Sequence, residues 1–323
     1  MERIEEDIGE EEEEPVFYCE LESGELFVSV VQGLLLNKTD QTGLIEILPN
    51  GMNLISERSK ALQAKAFFSS STMDTFEFRT NLLHDYQNEE EEGSENEEDE
   101  GSENPLHFSY LLPEGGQDTR LRFSINFSVL YECVTLFGEH DTSNYKLSLC
   151  YYLKSKALIV SLQDEHVSAE SEICSIETSE LSEFNFRSQK VQCRASMKCK
   201  YLKEFIQDLE YSSGDTNVFL KMSPETPHFT LSAQGDVLHW QMEIPKDSGT
   251  DIIHSFDCKY EQATPFNVEF FKSCFKCTAK SKLVIFRMSE MGMLSVSFEY
   301  HSSAKGNLKA RLDFLLCPTV VSE

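Results

Sequence analysis

Lys272, Lys276 and Lys280 recur every four residues within FNVEFFKSCFKCTAKSK, residues 266–282. Residues four apart on a helix share a face, so the spacing predicts a row of ammonium groups beside an apolar stripe of Val268, Phe271 and Phe275. Lys200 and Lys203 occupy a similar flank of CKYLKEFIQDLE, where Leu202, Phe205, Ile206 and Leu209 form the apolar side. Such rows are either ordinary solvated helix faces or surfaces suited to a polyanion such as a phosphate backbone. Spacing alone favours the first.

Other residue types point to weaker chemistry. Cys274 and Cys277 form a single CxxC, with Cys193, Cys199, Cys258 and Cys317 elsewhere in the second half. A zinc site needs a second pair, or histidines at compatible spacing. Neither is present, so the expectation is no metal and no cofactor. Cleavage of phosphodiesters by two metals needs converging carboxylates. Asp208, Asp215, Asp236, Asp247, Asp251 and Asp257 qualify by type, but they form no spaced set. His228, His239 and His254 stand singly. No GxSxG, Walker A or HExxH pattern occurs. The chain reads as a non-enzyme, with no catalytic residue assigned.

Charge is unevenly spread along the 323 residues, whose formal net charge is −28. Residues 1–14 carry nine acidic side chains and residues 85–103 carry eleven. From Arg187 onward, seventeen Lys/Arg meet sixteen Asp/Glu. The acidic runs hold too few apolar residues to fold, and are read as solvated and disordered. Ten cysteines in a chain of this length do not form a small-protein disulfide framework. No signal peptide follows Met1, and LFVSVVQGLLL is too short to span a membrane. The reading is a soluble intracellular protein with reduced thiols.

Most of the chain alternates as short strands, among them GLIEIL (43–48), LQAKAFF (62–68), KLSLCYY (146–152), ALIVSLQ (157–163), NVFLKMS (217–223), KLVIFRM (282–288) and LSVSFEY (294–300). Four segments switch to helical spacing: about 24–36, 127–138, 199–210 and 266–281. Each has one apolar side and should lie against a sheet. One helix plus about four strands, repeated four times, gives an α+β chain of two similar domains, each with two helices on antiparallel sheets. The boundaries read as an acidic N-terminus (1–15), a first domain (16–174) with an acidic insertion (85–104), a connector (175–190), a second domain (191–318) and a short tail (319–323). Sheet edges in KALIVSLQ and NVFLKMS invite pairing with another chain.

Four phrases in order carry a resemblance: NGMNLISERSKALQAKAFF (50–68), RFSINFSVLYECVTLFG (122–138), FLKMSPETPHFTLSAQG (219–235) and IPKDSGTDIIHSFDC (244–258). Through them the chain resembles the sliding-clamp family, the relatives of PCNA. It looks most like the Rad-one-type subunit of the heterotrimeric checkpoint clamp, the nine-one-one complex. The resemblance covers about Phe17 to Pro318; the acidic N-terminus and insertion depart from it. It implies a DNA-clamp fold with helices inside a ring, two sister subunits joined edge to edge, and a clamp loader that closes the ring on double-stranded DNA. It also implies checkpoint and repair proteins docked on the outer face, and a nuclear location. Lys200, Lys203, Lys272, Lys276 and Lys280 would then face the DNA. About five phosphate contacts give a salt slope near −4 to −5 in log K. Helices 24–36 and 127–138 carry no lysine, which implies a grip mainly through the second domain. The alternatives are a 3′–5′ exonuclease, as proposed for relatives, or a β-rich interaction module that encircles nothing.

Overall fold

The computed structural model describes residues 13–37, 39–83, 86, 119–138, 145–177, 180–209, 217–234, 239–246, 252–276, 281–301 and 308–319. One pattern recurs four times along them: a strand, a helix, then three strands. The first unit is β1 (Phe17–Leu21), α1 (Glu25–Leu34), β2 (Thr42–Leu48), β3 (Gly51–Arg58) and β4 (Leu62–Ser69), followed by a short β5 (Thr75–Phe78). The second is β6 (Leu121–Asn126), α2 (Phe127–Val134), β7 (Lys146–Tyr152), β8 (Ala157–Gln163) and β9 (Ser168–Cys174). The third is β10 (Val191–Lys198), α3 (Cys199–Asp208), β11 (Asn217–Met222), β12 (Phe229–Gln234) and β13 (His239–Ile244), followed by β14 (Ile253–Cys258). The fourth is β15 (Gln262–Asn267), α4 (Val268–Ser273), β16 (Leu283–Ser289), β17 (Leu294–His301) and β18 (Leu308–Leu316).

Units exchange their first strands. β1 pairs with β7 of the second unit, and β6 pairs with β2 of the first. Likewise β10 pairs with β16, and β15 with β11. The result is three antiparallel sheets, ordered β5-β1-β7-β8-β9, β14-β10-β16-β17-β18-β4-β3-β2-β6 and β13-β12-β11-β15. The nine-stranded sheet runs through both halves of the chain, joined at β4 and β18. Its flanks pack against the smaller sheets through aromatic rings. Phe123 stacks on Tyr151 at 3.9 Å in the first half, and Phe229 meets Phe286 at 5.3 Å in the second.

The helices begin where the sequence supplies caps. Asn126 Oδ1 accepts from the amides of Ser128 and Val129, and Asn267 Oδ1 from those of Glu269 and Phe270. An asparagine immediately before the helix satisfies amides that the first turn leaves orphaned. Val268, Phe271 and Phe275 are buried, as the apolar stripe predicts. Phe275 packs between Phe271 at 5.2 Å, Phe286 at 6.2 Å and Phe298 at 5.9 Å.

Two expectations need correction. The helix expected over 266–281 ends at Ser273, with a turn through Lys276. Ser273 Oγ donates back to the Glu269 carbonyl at 2.8 Å, a local bond that weakens helix continuation. Second, KALIVSLQ and NVFLKMS are not edges. They are β8 and β11, each paired on both sides.

Candidate subunit joints and nucleic-acid face

The seam between the two halves is built from equivalent strands. β4 is the third strand after the helix of the first unit, and β18 is the third after the helix of the fourth. They pair antiparallel from Ala310↔Phe68 to Leu316↔Leu62. On the core side, Leu312 meets Ala66 and Phe314 meets Ala64, large against small, all buried. On the other side Asp313 lies opposite Lys65, an opposite-charge cross-strand pair.

The same position in the second and third units is held by β9 and β13. Both end their sheets. The orientation of the β9 backbone follows from its hydrogen bonds to β8. Ser175 N donates to the Lys156 carbonyl, and Asp164 N to the Val167 carbonyl. In an antiparallel ladder the bonded pairs alternate, so odd-numbered residues of β9 bond inward to β8. The amides and carbonyls of Ser168, Glu170, Glu172 and Cys174 therefore face away from β8, toward an edge unpaired among the described residues, and the side chains of these four are exposed. The opposite face of β9 carries Ala169, Ser171 and Ile173, and that of β13 carries Trp240, Met242 and Ile244. Ala169 and Ser171 against Trp240 and Met242 would pair small with large, as Ala64 and Ala66 do with Phe314 and Leu312.

Two other edge strands each accept a single backbone bond from a neighbouring segment. Ile176 N donates to the Ser124 carbonyl beside β6, and Thr319 N to the Pro265 carbonyl beside β15. The segment between β9 and β10 is fixed at Ser182. Glu57 accepts from its amide at 2.8 Å and its hydroxyl at 2.9 Å, while Gln63 donates to its carbonyl at 3.1 Å.

α1 packs against α2, and its C-terminal end meets the turn after α4. The last carbonyls of a helix lack internal partners. Here the Leu34 carbonyl accepts from Ser56 Oγ at 2.7 Å, Leu35 from Lys276 Nζ at 2.7 Å and Leu36 from Arg58 Nη1 at 3.1 Å. Two cations at the negative end of the α1 dipole are favourably placed. Arg58 also lies 5.1 Å over the Phe270 ring, so both cations help join the halves.

This placement redistributes the expected lysine row. Lys276 holds the end of α1. The Lys272 side chain is 19% exposed, with its ammonium 3.9 Å from Glu269. Lys200 is exposed, its ammonium 4.6 Å over the ring of Tyr201. Lys280 and the side chain of Lys203 lie outside the described residues. Sequence spacing alone could not reveal the Lys276 contact, because its partner is 241 positions away.

The weaker candidates are dispersed. Cys274 is buried and donates to the Phe270 carbonyl at 3.3 Å; Cys277 lies outside the described residues. Asp257 is exposed on β14, while Asp215, Asp236, Asp247, Asp251 and the side chain of Asp208 lie outside the described residues. His228 is buried, its Nδ1 accepting from Lys246 N at 3.1 Å, whereas His239 and His254 are exposed. Among the described residues no three metal-ligating side chains converge.

Residues 16–299 match the family described as Repair protein Rad1/Rec1/Rad17. The chain belongs to that family. Cell cycle checkpoint protein RAD1 of Mus musculus is 28% identical over 184 residues, 56% of this chain and 64% of its own length. The Homo sapiens protein of the same name is 27% identical over 184 residues, with the same coverage. The match thus spans less than two thirds of the length of these relatives. Among solved structures, the Proliferating Cellular Nuclear Antigen of Entamoeba histolytica superposes with a TM-score of 0.67 at 12% identity. That superposition covers 95% of this chain and 100% of that one. At such low identity it establishes the fold: the Rad1-family chain has the sliding-clamp fold read from its sequence.

Proposed function

We propose that this chain is a non-enzymatic subunit of a ring-shaped DNA clamp, completed by two sister subunits and closed around duplex DNA by a clamp loader. Its two domains are taken as residues 16–174 and 191–318, joined by the connector 175–190. The ring works in the nucleus, tethering checkpoint and repair proteins at damage sites.

One observation carries the reading. The chain joins its own halves through third strands, β4 to β18, while the two equivalent strands, β9 and β13, end their sheets among the described residues. Applying the internal joint between molecules pairs β9 of one subunit with the β13-like strand of the next. Repetition of a head-to-tail joint gives a ring wherever the rotation closes.

The edges also favour unlike neighbours. A joint between two copies would set Glu170 and Glu172 of β9 near Glu243 of β13. Like charges directly opposite are destabilising. A sister strand with neutral or basic outward residues avoids this, so charge selects the partner while backbone pairing supplies the joint.

The DNA face is assigned to α3, α4 and the segment after α4, with Lys200, Lys203, Lys272, Lys276 and Lys280 as its cations. Lys272 and Lys276 already have intramolecular partners. This subunit therefore contributes fewer than five phosphate contacts, and topology rather than affinity retains the DNA. Native mass spectrometry of the full chain with its two sister subunits tests the reading. A one-to-one-to-one complex is expected, with the chain monomeric alone; a stable homotrimer, or no complex, would overturn it.

A further inference from the structure

β10 and β14 pair antiparallel at one edge of the nine-stranded sheet, with Cys193 directly opposite Cys258. Their Sγ atoms are 2.8 Å apart, against about 2.05 Å for an S–S bond. Directly opposite residues in such a ladder have Cα atoms roughly 4.5–5.5 Å apart, inside the range of about 4.4–6.8 Å that a disulfide spans. Both thiols also lie against one acceptor. Cys258 Sγ donates to the Tyr260 carbonyl at 3.1 Å, and Cys193 Sγ lies 3.5 Å from it. Cys193 is 1% exposed, whereas Cys258 is half-buried and reachable from solvent.

We propose that Cys193 and Cys258 are an oxidisable dithiol that closes to a reversible cross-strand disulfide, with hydrogen peroxide as oxidant. The Cys258 sulfur, as thiolate, attacks a peroxide oxygen; the O–O bond breaks, leaving a sulfenic acid and releasing one water. The Cys193 sulfur then attacks the sulfenyl sulfur, the S–O bond breaks, and a second water leaves. Two thiols lose two hydrogens and one peroxide is reduced to two waters. A dithiol reverses the step by exchange.

The rate is set by the surroundings. Burial, their mutual contact and the Asp257 carboxylate raise the Cys193 thiol, and burial raises that of Cys258 despite its bond to Cys193. Since the thiolate is the nucleophile, oxidation is slow at neutral pH and accelerates as pH rises. The bond would close a loop between positions 65 apart. That loop holds α3 and β11 to β13, including the open β13 edge. Oxidation would thus tie the first strand of the third unit to the strand that follows it, bracing one proposed joint.

The test treats the full-length protein with hydrogen peroxide under native conditions, blocks remaining thiols with an alkylating agent, and maps peptides by mass. A Cys193–Cys258 cross-linked peptide is expected as the main product, forming faster at higher pH. The melting temperature should rise by several degrees, as for a bridge across a loop of this length, and return on adding dithiothreitol. Cys258→Ser should abolish both the product and the shift. Full alkylation of both residues in folded, peroxide-treated protein would overturn the proposal. So would a dominant disulfide between other cysteines. The peptide map is read on the unmodified chain, so it decides the question even where Cys258→Ser fails to fold.

Discussion

Glu172→Pro isolates the β9 joint. The Glu172 amide faces away from β8, by the alternation that Ser175 and Asp164 fix, so proline there removes no bond among the described residues. Proline is tolerated on edge strands whose amide points outward, and the isolated subunit should melt within a few degrees of wild type. Assembly should respond differently. The variant loses one intermolecular hydrogen bond, worth about 0.5–1.5 kcal/mol, and leaves a neighbour's buried carbonyl unsatisfied, costing about 1–3 kcal/mol. A total near 2–4 kcal/mol corresponds to a roughly 30- to 1000-fold weaker Kd for the adjoining subunit. Glu172→Ala separates backbone from charge: it keeps the amide, removes the carboxylate and should bind at least as well as wild type. The assay is titration of labelled sister subunit against each variant, with circular dichroism as the folding control. Wild-type affinity in a folded Glu172→Pro variant would refute the assignment of β9 as a joint.

Lys200→Glu with Lys203→Glu should make the slope of log K against log salt for DNA shallower by about 2, with the complex intact; an unchanged slope would remove α3 from the DNA face. Lys276→Glu should lower thermal stability, because it sets a carboxylate against the C-terminal end of α1; wild-type melting would contradict the capping role. Glu57→Ala removes two bonds to Ser182 and should speed amide exchange across the connector by about 10- to 100-fold, one charge-assisted bond being worth roughly 1.5–3 kcal/mol. Glu20 is held down to about 2, first by the hydrogen bond from Lys146 and then by that from Tyr18. A lowered folded value means its stabilisation is complete above the unfolded value near 4.3 and is lost as pH falls toward 2. Glu20→Gln should therefore flatten the acid limb of a melting-temperature profile in that window.

Much of the fold is legible in the sequence because its signals are local. ALIVSLQ coincides with β8, and the apolar stripes locate α1 to α4, though not the helical turn at residues 80–83. The asparagines before α2 and α4 are a further local signal of the repeat, one that hydrophobic spacing alone does not register. β9 escapes a reading by pattern for a physical reason. SAESEIC has one buried side chain, Ile173, so an edge strand awaiting a partner lacks the apolar period that marks an interior strand. The open joints are illegible until strand order is known. Lys276 shows the other limit: its spacing implies a surface row, but its partner carbonyl comes from the opposite half of the chain. Cys193 and Cys258 likewise meet only through strand register.

In the proposed ring, β9 and β13 are the two joints of this subunit. Residue-resolved amide hydrogen exchange, comparing the chain alone with the chain bound to its sister subunits, tests it most directly. The account predicts that the amides of Ser168, Glu170, Glu172 and Cys174, with those on the outer edge of β13, slow only on assembly, while β5 and β14 are unchanged. Protection appearing instead at β5 or β14, or nowhere on an assembled complex, would contradict it.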